Sequence, residues 1–395
     1  MPAAVRRQIW VMFGAILLVM VGFGIVLPIL PFLAKRFGAS PLQMGLLITG
    51  WSVAQFVSSP FWGLCAERFG RKPVLLAGLA GYAVAFLAQA LAPSYALLLA
   101  ARVMGGLVSS SVLPSGQAIA ADLTPPTERG AVMGLIGAAF GVGFLVGPAL
   151  GGVLTVAGPE TPFYAAAVAS ALSIPVVIRW VREPPVDDRR REAARLGAGG
   201  IAAALTSPER PLYLMALAAT FGGSSLFSML GYYAIDRAAA TPTQVGIMFT
   251  AMGVGSVATQ GTLVGRIARG GGEIPGIVWG FAGGAAGFAA VALARTVPAL
   301  TAAVFLGSVA LALIRPLVVA LNSRTTTLGY GVSMGMQTAA DSLGRTLGPL
   351  WAGSVYGVMP LAPFATAAAV YAAAAVVAVR MHRARVFRTP EPTRR

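Results

Sequence analysis

The sequence predicts an all-α integral membrane protein of twelve transmembrane helices, arranged as two pseudo-symmetric six-helix bundles. Three observations carry that prediction. The composition is too apolar for a water-soluble globule: 57% of residues are hydrophobic, 11% are charged, and the mean hydropathy is +0.78. Twelve apolar segments succeed one another along 395 residues. Short sequences also recur at one fixed offset of 201 positions, as expected of a chain built from repeated halves.

The apolar segments fall near 9–33, 43–65, 73–92, 95–121, 130–155, 163–181, 211–234, 243–265, 274–294, 298–321, 332–358 and 361–381. A helical span needs about 20 apolar residues, and the first segment is too long for a signal-peptide core, so it is expected to remain as a span. The breaks carry Gly, Pro and charge, as in "RFGAS", "TPPTERG", "AGPETP" and "ARGGGE". The long break reads "REPPVDDRRREAARLGAGG" from Arg182 onward. It divides the chain into a bundle at 1–181, a hydrophilic linker at 182–210 with room for a short amphipathic helix, a second bundle at 211–381, and a basic tail at 382–395. Across the halves, "SPLQMG" (Ser40 to Gly45) recurs as "TPTQVG" (Thr241 to Gly246), and Gly147-Pro148 recurs as Gly348-Pro349.

Charge sets the expected orientation. With the N-terminus in the cytoplasm, 22 of the 29 Lys and Arg fall on the cytoplasmic side, four (Lys35, Arg36, Arg237, Arg295) fall opposite, and three (Arg102, Arg315, Arg345) lie inside spans. The positive-inside bias therefore places both termini and the linker in the cytoplasm of a cell inner membrane. The formal net charge of +16 follows from the same loops; it is read as solvated or lying on anionic lipid headgroups, not on nucleic acid. The single cysteine, Cys65, excludes an internal disulfide, and the single histidine, His382, sits in the tail. No Cys/His metal site or nucleophile can be assembled, so neither an enzyme nor a cofactor is expected. The expected partners are a small-molecule substrate, protons and membrane lipids, with the chain acting as a monomer.

Three motifs carry chemistry. "GLCAERFGRKP" (Gly63 to Pro73) places Glu67, Arg68, Arg71 and Lys72 in a turn between the second and third spans. Glycine permits the sharp reversal, and the acid can pair with an arginine or a helix N-terminus, with Asp122 in "ADLTPPTERG" a partner for the arginines. The bland alternative is an ordinary positive-inside loop. "GFLVGPALGG" (Gly143 to Gly152) lies in a span where Gly134, Gly137, Gly141, Gly147 and Gly151 put small residues at three- and four-residue steps along one stripe, so that another backbone can approach, and Pro148 bends the span. The alternative is routine glycine packing between membrane helices. "ARVMGGLVSS" (Ala101 to Ser110) sets Arg102 inside the fourth span, either facing an internal cavity or snorkelling to the surface.

These motifs give the chain a resemblance to the major facilitator superfamily, in its twelve-span drug:proton antiporter branch. The first is similar to the loop motif G-x-L-A-D-R-x-G-R-[KR], with Cys65 and Glu67 departing from it. The second matches G-x-x-x-G-P-x-x-G-G, and the third partly matches R-x-x-Q-G, with Gly105 in the Gln position. The resemblance implies a conformational latch at Gly63, Glu67, Arg68, Gly70, Arg71, Lys72 and Asp122. It also implies a hinge around Gly143, Gly147, Pro148, Gly151 and Gly152.

Of thirteen acids, only Asp341 lies deep in a span, with Arg345 one turn on and Arg315 in the preceding span. An ionised acid in hydrocarbon costs about 2.5–3.5 kcal/mol on insertion scales, so Asp341 is expected to be paired and to face water. Burial favours its protonated form and an arginine favours its ionised form, the minimum needed for proton coupling. The alternative is a permanent Asp341–Arg345 bridge, with Asp236 as a reserve coupling acid and Arg102 as a participant. Phe221, Phe227, Tyr232, Tyr233, Met248, Met252 and Gln337 are candidates for an adaptable substrate cavity, or else packing positions. The expected function is proton-coupled export of lipophilic, including cationic, drugs by alternating access. The alternative is export of a physiological solute bearing an anionic group, such as a siderophore, sugar or lipid-like metabolite, held by Arg102, Arg315 and Arg345.

Overall fold

The computed structural model of the chain describes residues 3–125, 128–183, 206–327 and 330–384. Among them every regular element is helical: α1 (Ala3–Val26), α2 (Leu30–Arg36), α3 (Pro41–Phe69), α4 (Arg71–Ala90), α5 (Tyr95–Leu123), α6 (Arg129–Leu154) and α7 (Thr161–Trp180). There follow α8 (Arg210–Ala238), α9 (Pro242–Thr259), α10 (Gly265–Arg269), α11 (Glu273–Leu293), α12 (Val297–Thr325), α13 (Tyr330–Tyr356) and α14 (Ala362–Ala384). A π turn at Gln260–Val264 joins α9 to α10. The expected amphipathic helix, the linker arginines Arg189, Arg190, Arg191 and Arg195, and the tail from 385 lie outside the described residues.

Nine helices among the described residues are long and apolar enough to cross a membrane. α3, α6 and α13, of 29, 26 and 27 residues, reach the required length at about 1.5 Å per residue, so the pattern is consistent with twelve spans. The first expected segment, 9–33, is not one helix. It breaks between Val26 and Leu30, where a turn is closed by Ile29 N–H on Val26 O at 3.2 Å. Pro28 and Pro31 cause the break, because each lacks an N–H and disfavours helix in the residue before it.

The repeat visible in the sequence is a repeat of helix starts. Pro41 and Pro242, Arg71 and Glu273, Tyr95 and Val297, Arg129 and Tyr330, and Thr161 and Ala362 are each 201 or 202 positions apart. "SPLQMG" and "TPTQVG" recur because both encode a capping box. Ser40 Oγ accepts from Gln43 N–H at 3.2 Å while Gln43 Oε1 accepts from Ser40 N–H at 2.7 Å. Thr241 and Gln244 do the same at 3.3 and 2.9 Å. Pro114 in α5 and Pro316 in α12 are 202 apart, and Pro148 in α6 and Pro349 in α13 are 201 apart.

The chain forms two compact units: residues 1–194 with 227–253, and residues 195–226 with 254–395. In the first, the glycine stripe of α6 lies against α1. A Cβ on Gly147 would sit 2.7 Å from Val21 O, and one on Gly151 would sit 2.2 Å from Ile25 O, so only glycine lets these backbones meet. The opposite edge of α6 meets α9, where Thr243 Oγ1 donates to Gly152 O at 2.9 Å and a Cβ on Gly246 would sit 2.6 Å from Pro148 O. In the second unit, Tyr371 of α14 fills the core. It packs edge-on to Phe281 and Phe288 and donates its hydroxyl to Ala219 O at 2.6 Å. α13 approaches α8 on Gly344 and Gly348, whose carbonyls accept from Ser224 and Ser225 at 3.1 and 3.0 Å.

Candidate functional site

In the second unit, α12 and α13 bring the deep acid to an arginine. Arg315 sits at the turn before Pro316, and its Nε donates to Asp341 Oδ2 at 3.0 Å. The Asp341 side chain is 3% exposed and that of Arg315 is 61% exposed. The carboxylate is thus sealed in protein while its partner reaches out. Asp341 Oδ1 is buried and has no hydrogen-bond partner among the described residues. Arg345 is exposed, and its guanidinium makes no hydrogen bond or ion pair among the described residues. The bridge to Asp341 therefore comes from Arg315 across the helix pair, not from Arg345 along α13. An i,i+4 bridge would lie along the surface of α13, whereas Arg315 faces the carboxylate across the packed seam with α12.

At the arginine-rich end of the first unit, Gly70 adopts φ +94° and turns α3 into α4. Arg71 forms an ion pair with Asp122 and donates to Ala118 O at 2.9 Å. The start of α4 is covered by Glu183, a residue of the expected linker. Its two carboxylate oxygens accept the N–H groups of Arg71 and Lys72 at 2.6 and 2.7 Å. Pro73 contributes no N–H, so one carboxylate satisfies both free donors of the first three helical positions. Lys72 Nζ donates to Ile178 O at 3.0 Å, tying the same turn to α7. Gly63, Glu67 and Arg68 are exposed; Arg68 lies over the Phe69 ring at 5.3 Å.

A mirror of this arrangement joins α11 to α12. Glu273 and Arg324 form an ion pair at the start of α11 and the end of α12. They stand 202 positions after Arg71 and Asp122, with the charges exchanged. The signal was present in the sequence but hidden by the 201 offset, which misaligns these helices by one residue.

At the opposite end of the first unit, Lys35 pairs with Asp236 and Arg36 pairs with Glu160 at 2.6 Å. Lys35 also lies over the Tyr232 ring at 4.9 Å, and the Tyr232 hydroxyl donates to Ala39 O at 2.8 Å. Asp236 is thus an exposed ion-pair partner. Arg102 does not snorkel: it is 1% exposed, donates from Nε to Leu47 O at 3.2 Å, and stacks 4.6 Å over Trp51. Among the cavity candidates, Tyr232, Tyr233, Met248, Met252 and Gln337 are 2, 1, 0, 6 and 3% exposed and sit in packed positions. Phe227 stacks on Phe249 at 5.6 Å, and Phe221 is half-buried. A groove of about 320 Å³ between α1 and α7 is lined by apolar side chains, Ser173 and Arg7, and holds none of the candidates.

No group of three or more His, Cys, Asp or Glu that could hold a metal occurs among the described residues. Residues 12–238 match the family model described as Major Facilitator Superfamily. The chain is 24% identical over 387 residues to the quinolone resistance protein NorA of Staphylococcus aureus (strain COL), covering 96% of this chain and 98% of that one. It is 26% identical over 368 residues to multidrug resistance protein 2 of Bacillus subtilis (strain 168), covering 90% of each. The crystal structure of the human organic anion transporter MFSD10 (TETRAN) superimposes with a TM-score of 0.69 at 27% identity, covering 96% of this chain and 100% of that one.

Proposed function

The chain belongs to the Major Facilitator Superfamily, and on that premise we propose that it is a proton-coupled antiporter, exporting lipophilic and cationic compounds across a cell inner membrane by alternating access. The observation that carries this reading is Asp341. It is a buried carboxylate with one oxygen on Arg315 and the other unpartnered among the described residues, in a helix otherwise without acids. Such a group is costly to bury, and an ionisable side chain within a span is by default a candidate for a proton path. A movement that separates Arg315 from it favours proton uptake, and their return favours release. Relatives named for quinolone and multidrug resistance support the substrate class. In this reading the two six-helix halves, 1–181 and 211–381, rock against one another, with the glycine- and proline-bearing α6 flexing against α1 as a hinge within the first half, while the loop at 63–72, Asp122 and Glu183 latch the cytoplasmic end. Both termini and the linker lie in the cytoplasm, and the chain works as a monomer.

A second reading, export of an organic anion, is favoured by the exposed guanidiniums of Arg315 and Arg345 and by the likeness to an organic anion transporter. Proteoliposomes under an imposed pH gradient separate the two, using ethidium as cation, norfloxacin as quinolone and carboxyfluorescein as anion. The preferred reading expects gradient-driven movement of ethidium and norfloxacin, retained in Arg345→Ala. Movement of carboxyfluorescein alone, lost in Arg345→Ala, would establish the second.

A further inference from the structure

A chain of buried polar side chains in the second unit leads to the acid just described. The Tyr213 hydroxyl of α8 lies 2.9 Å from Ser333 Oγ of α13, Ser333 donates to Asn322 Oδ1 of α12 at 2.7 Å, and Asn322 Nδ2 donates to Gln337 Oε1 of α13 at 2.8 Å. Ser333 has one proton and gives it to Asn322, so Tyr213 must donate to Ser333. Every link then donates in the same sense, and Gln337 Nε2 is left at the free end. Gln337 is 3% exposed, and Nε2 has no partner among the described residues. Four residues on, along the same face of α13, Asp341 is 2% exposed with Oδ1 likewise unpartnered among those residues. A buried donor and a buried acceptor one turn apart each lack one hydrogen bond.

The fold does not require this chain. At the aligned positions of the first half stand Ala120 for Asn322, Val132 for Ser333, Ile136 for Gln337, Phe140 for Asp341 and Leu113 for Arg315. Ala120, Val132 and Ile136 are buried, at 0, 7 and 0% exposed. The same scaffold is thus filled by apolar side chains once and by a directed polar chain once. Burying polar groups where apolar ones suffice is unfavourable unless they are used.

We propose that Gln337 is a positioning residue for Asp341, and that one buried water joins Gln337 Nε2 to Asp341 Oδ1. Water fits because it accepts from the amide while donating to the carboxylate, the complement of the two free atoms. Arg315 covers Oδ2, so a proton reaches the carboxylate at Oδ1, through this water. The charged groups around the acid are Arg315 from α12 and Arg345 on α13 itself, and α8 contributes Tyr213 at the far end of the chain. The inference rests on Asp341 being the coupling acid.

Infrared difference spectroscopy of the purified full-length chain between high and low pH tests it. The Asp341 carboxyl band is assigned by its loss in Asp341→Asn. Gln337→Ile, which installs the residue the first half carries, is expected to change the proton affinity about tenfold, so that the band titrates roughly one pH unit higher. It is also expected to abolish a water O–H band that shifts in H2(18)O. Asn322→Ala, which frees the amide to rotate, is expected to give a smaller shift in the same sense. An Asp341 band that titrates identically in all three proteins, with the water band retained, overturns the inference and leaves the coupling role standing. If the unsubstituted protein shows no titrating Asp341 band, the coupling role falls and this inference with it.

Discussion

Two ion pairs occupy equivalent places in the two halves: Arg71–Asp122 between α4 and α5, and Glu273–Arg324 between α11 and α12. The charges are exchanged. The position therefore demands that a helix start be tied to a neighbouring helix end, while leaving open which side carries which sign. What distinguishes the first half is everything around its pair: Glu183 covering the two free N–H groups of α4, Lys72 on Ile178 O, and the exposed Glu67 and Arg68. In the second half the acid itself, Glu273, begins the helix. The comparison separates a tie common to both halves from a capping arrangement found in one.

The largest expected effect comes from breaking the tie by sign. Arg71→Glu places two acids together at side chains 25 and 14% exposed, and should cost about 2–4 kcal/mol, read as a fall in the thermal midpoint in detergent. Adding Asp122→Arg reproduces the order seen at Glu273–Arg324 and should recover most of it. If the double variant is no better than the single one, the equivalence of the two pairs is wrong.

A somewhat smaller effect is expected at the α6 crossing. Gly151→Ala brings a Cβ to within 2.2 Å of Ile25 O and should cost about 1–3 kcal/mol. The aligned residue of the second half is already alanine, Ala352. Gly63→Ala meets nothing within 4 Å and should be close to neutral in stability. Equal loss in both variants would count against the close crossing.

Capping comes next. Glu183→Gln keeps an acceptor but removes the charge at the α4 N-terminus, and should cost about 0.5–1 kcal/mol with partial loss of transport. An unchanged thermal midpoint and rate would detach Glu183 from the latch.

The smallest effect is one of pH. Burial pushes the Glu209 carboxyl up, but hydrogen bonds from the Thr327 N–H, its own N–H, and the Ser207 and Thr327 side chains outweigh it and hold it below the usual 4.5. A group lowered in the folded state contributes stability above the unfolded value, and loses it as pH falls through the folded one. Stability should therefore decline below about pH 4.5, less steeply in Glu209→Gln, the residue type found at aligned Gln8. Identical acid profiles would remove Glu209 from the account.

Much of the fold was legible because it is written in local signals: apolar length, proline, and capping boxes repeated at 201. Of the glycine stripe of α6, Gly147 and Gly151 were legible for the same reason, since three- and four-residue spacing fixes a face; Gly143, which also meets α1, was not placed on that stripe. What the sequence left open were choices among partners. Asp341 had an arginine at i+4 and another in the preceding span, and only the packing of α12 on α13 selects Arg315. Glu183 looked like linker charge because its partners are backbone N–H groups 111 and 112 positions away. Tyr213, Ser333 and Asn322 went unnoticed because no single one of them is unusual. Their meaning lies in the order of donation, although Ser333, Gln337 and Asp341 at four-residue steps already marked one polar face on α13.

The central claim is that Asp341 changes protonation once per transport cycle. Proteoliposomes loaded with the pH indicator pyranine report it directly when ethidium is added outside without an imposed gradient. The account predicts ethidium-driven proton movement in the unsubstituted protein, and in Asp341→Asn no proton movement while ethidium still equilibrates downhill. Undiminished proton movement in Asp341→Asn would contradict it.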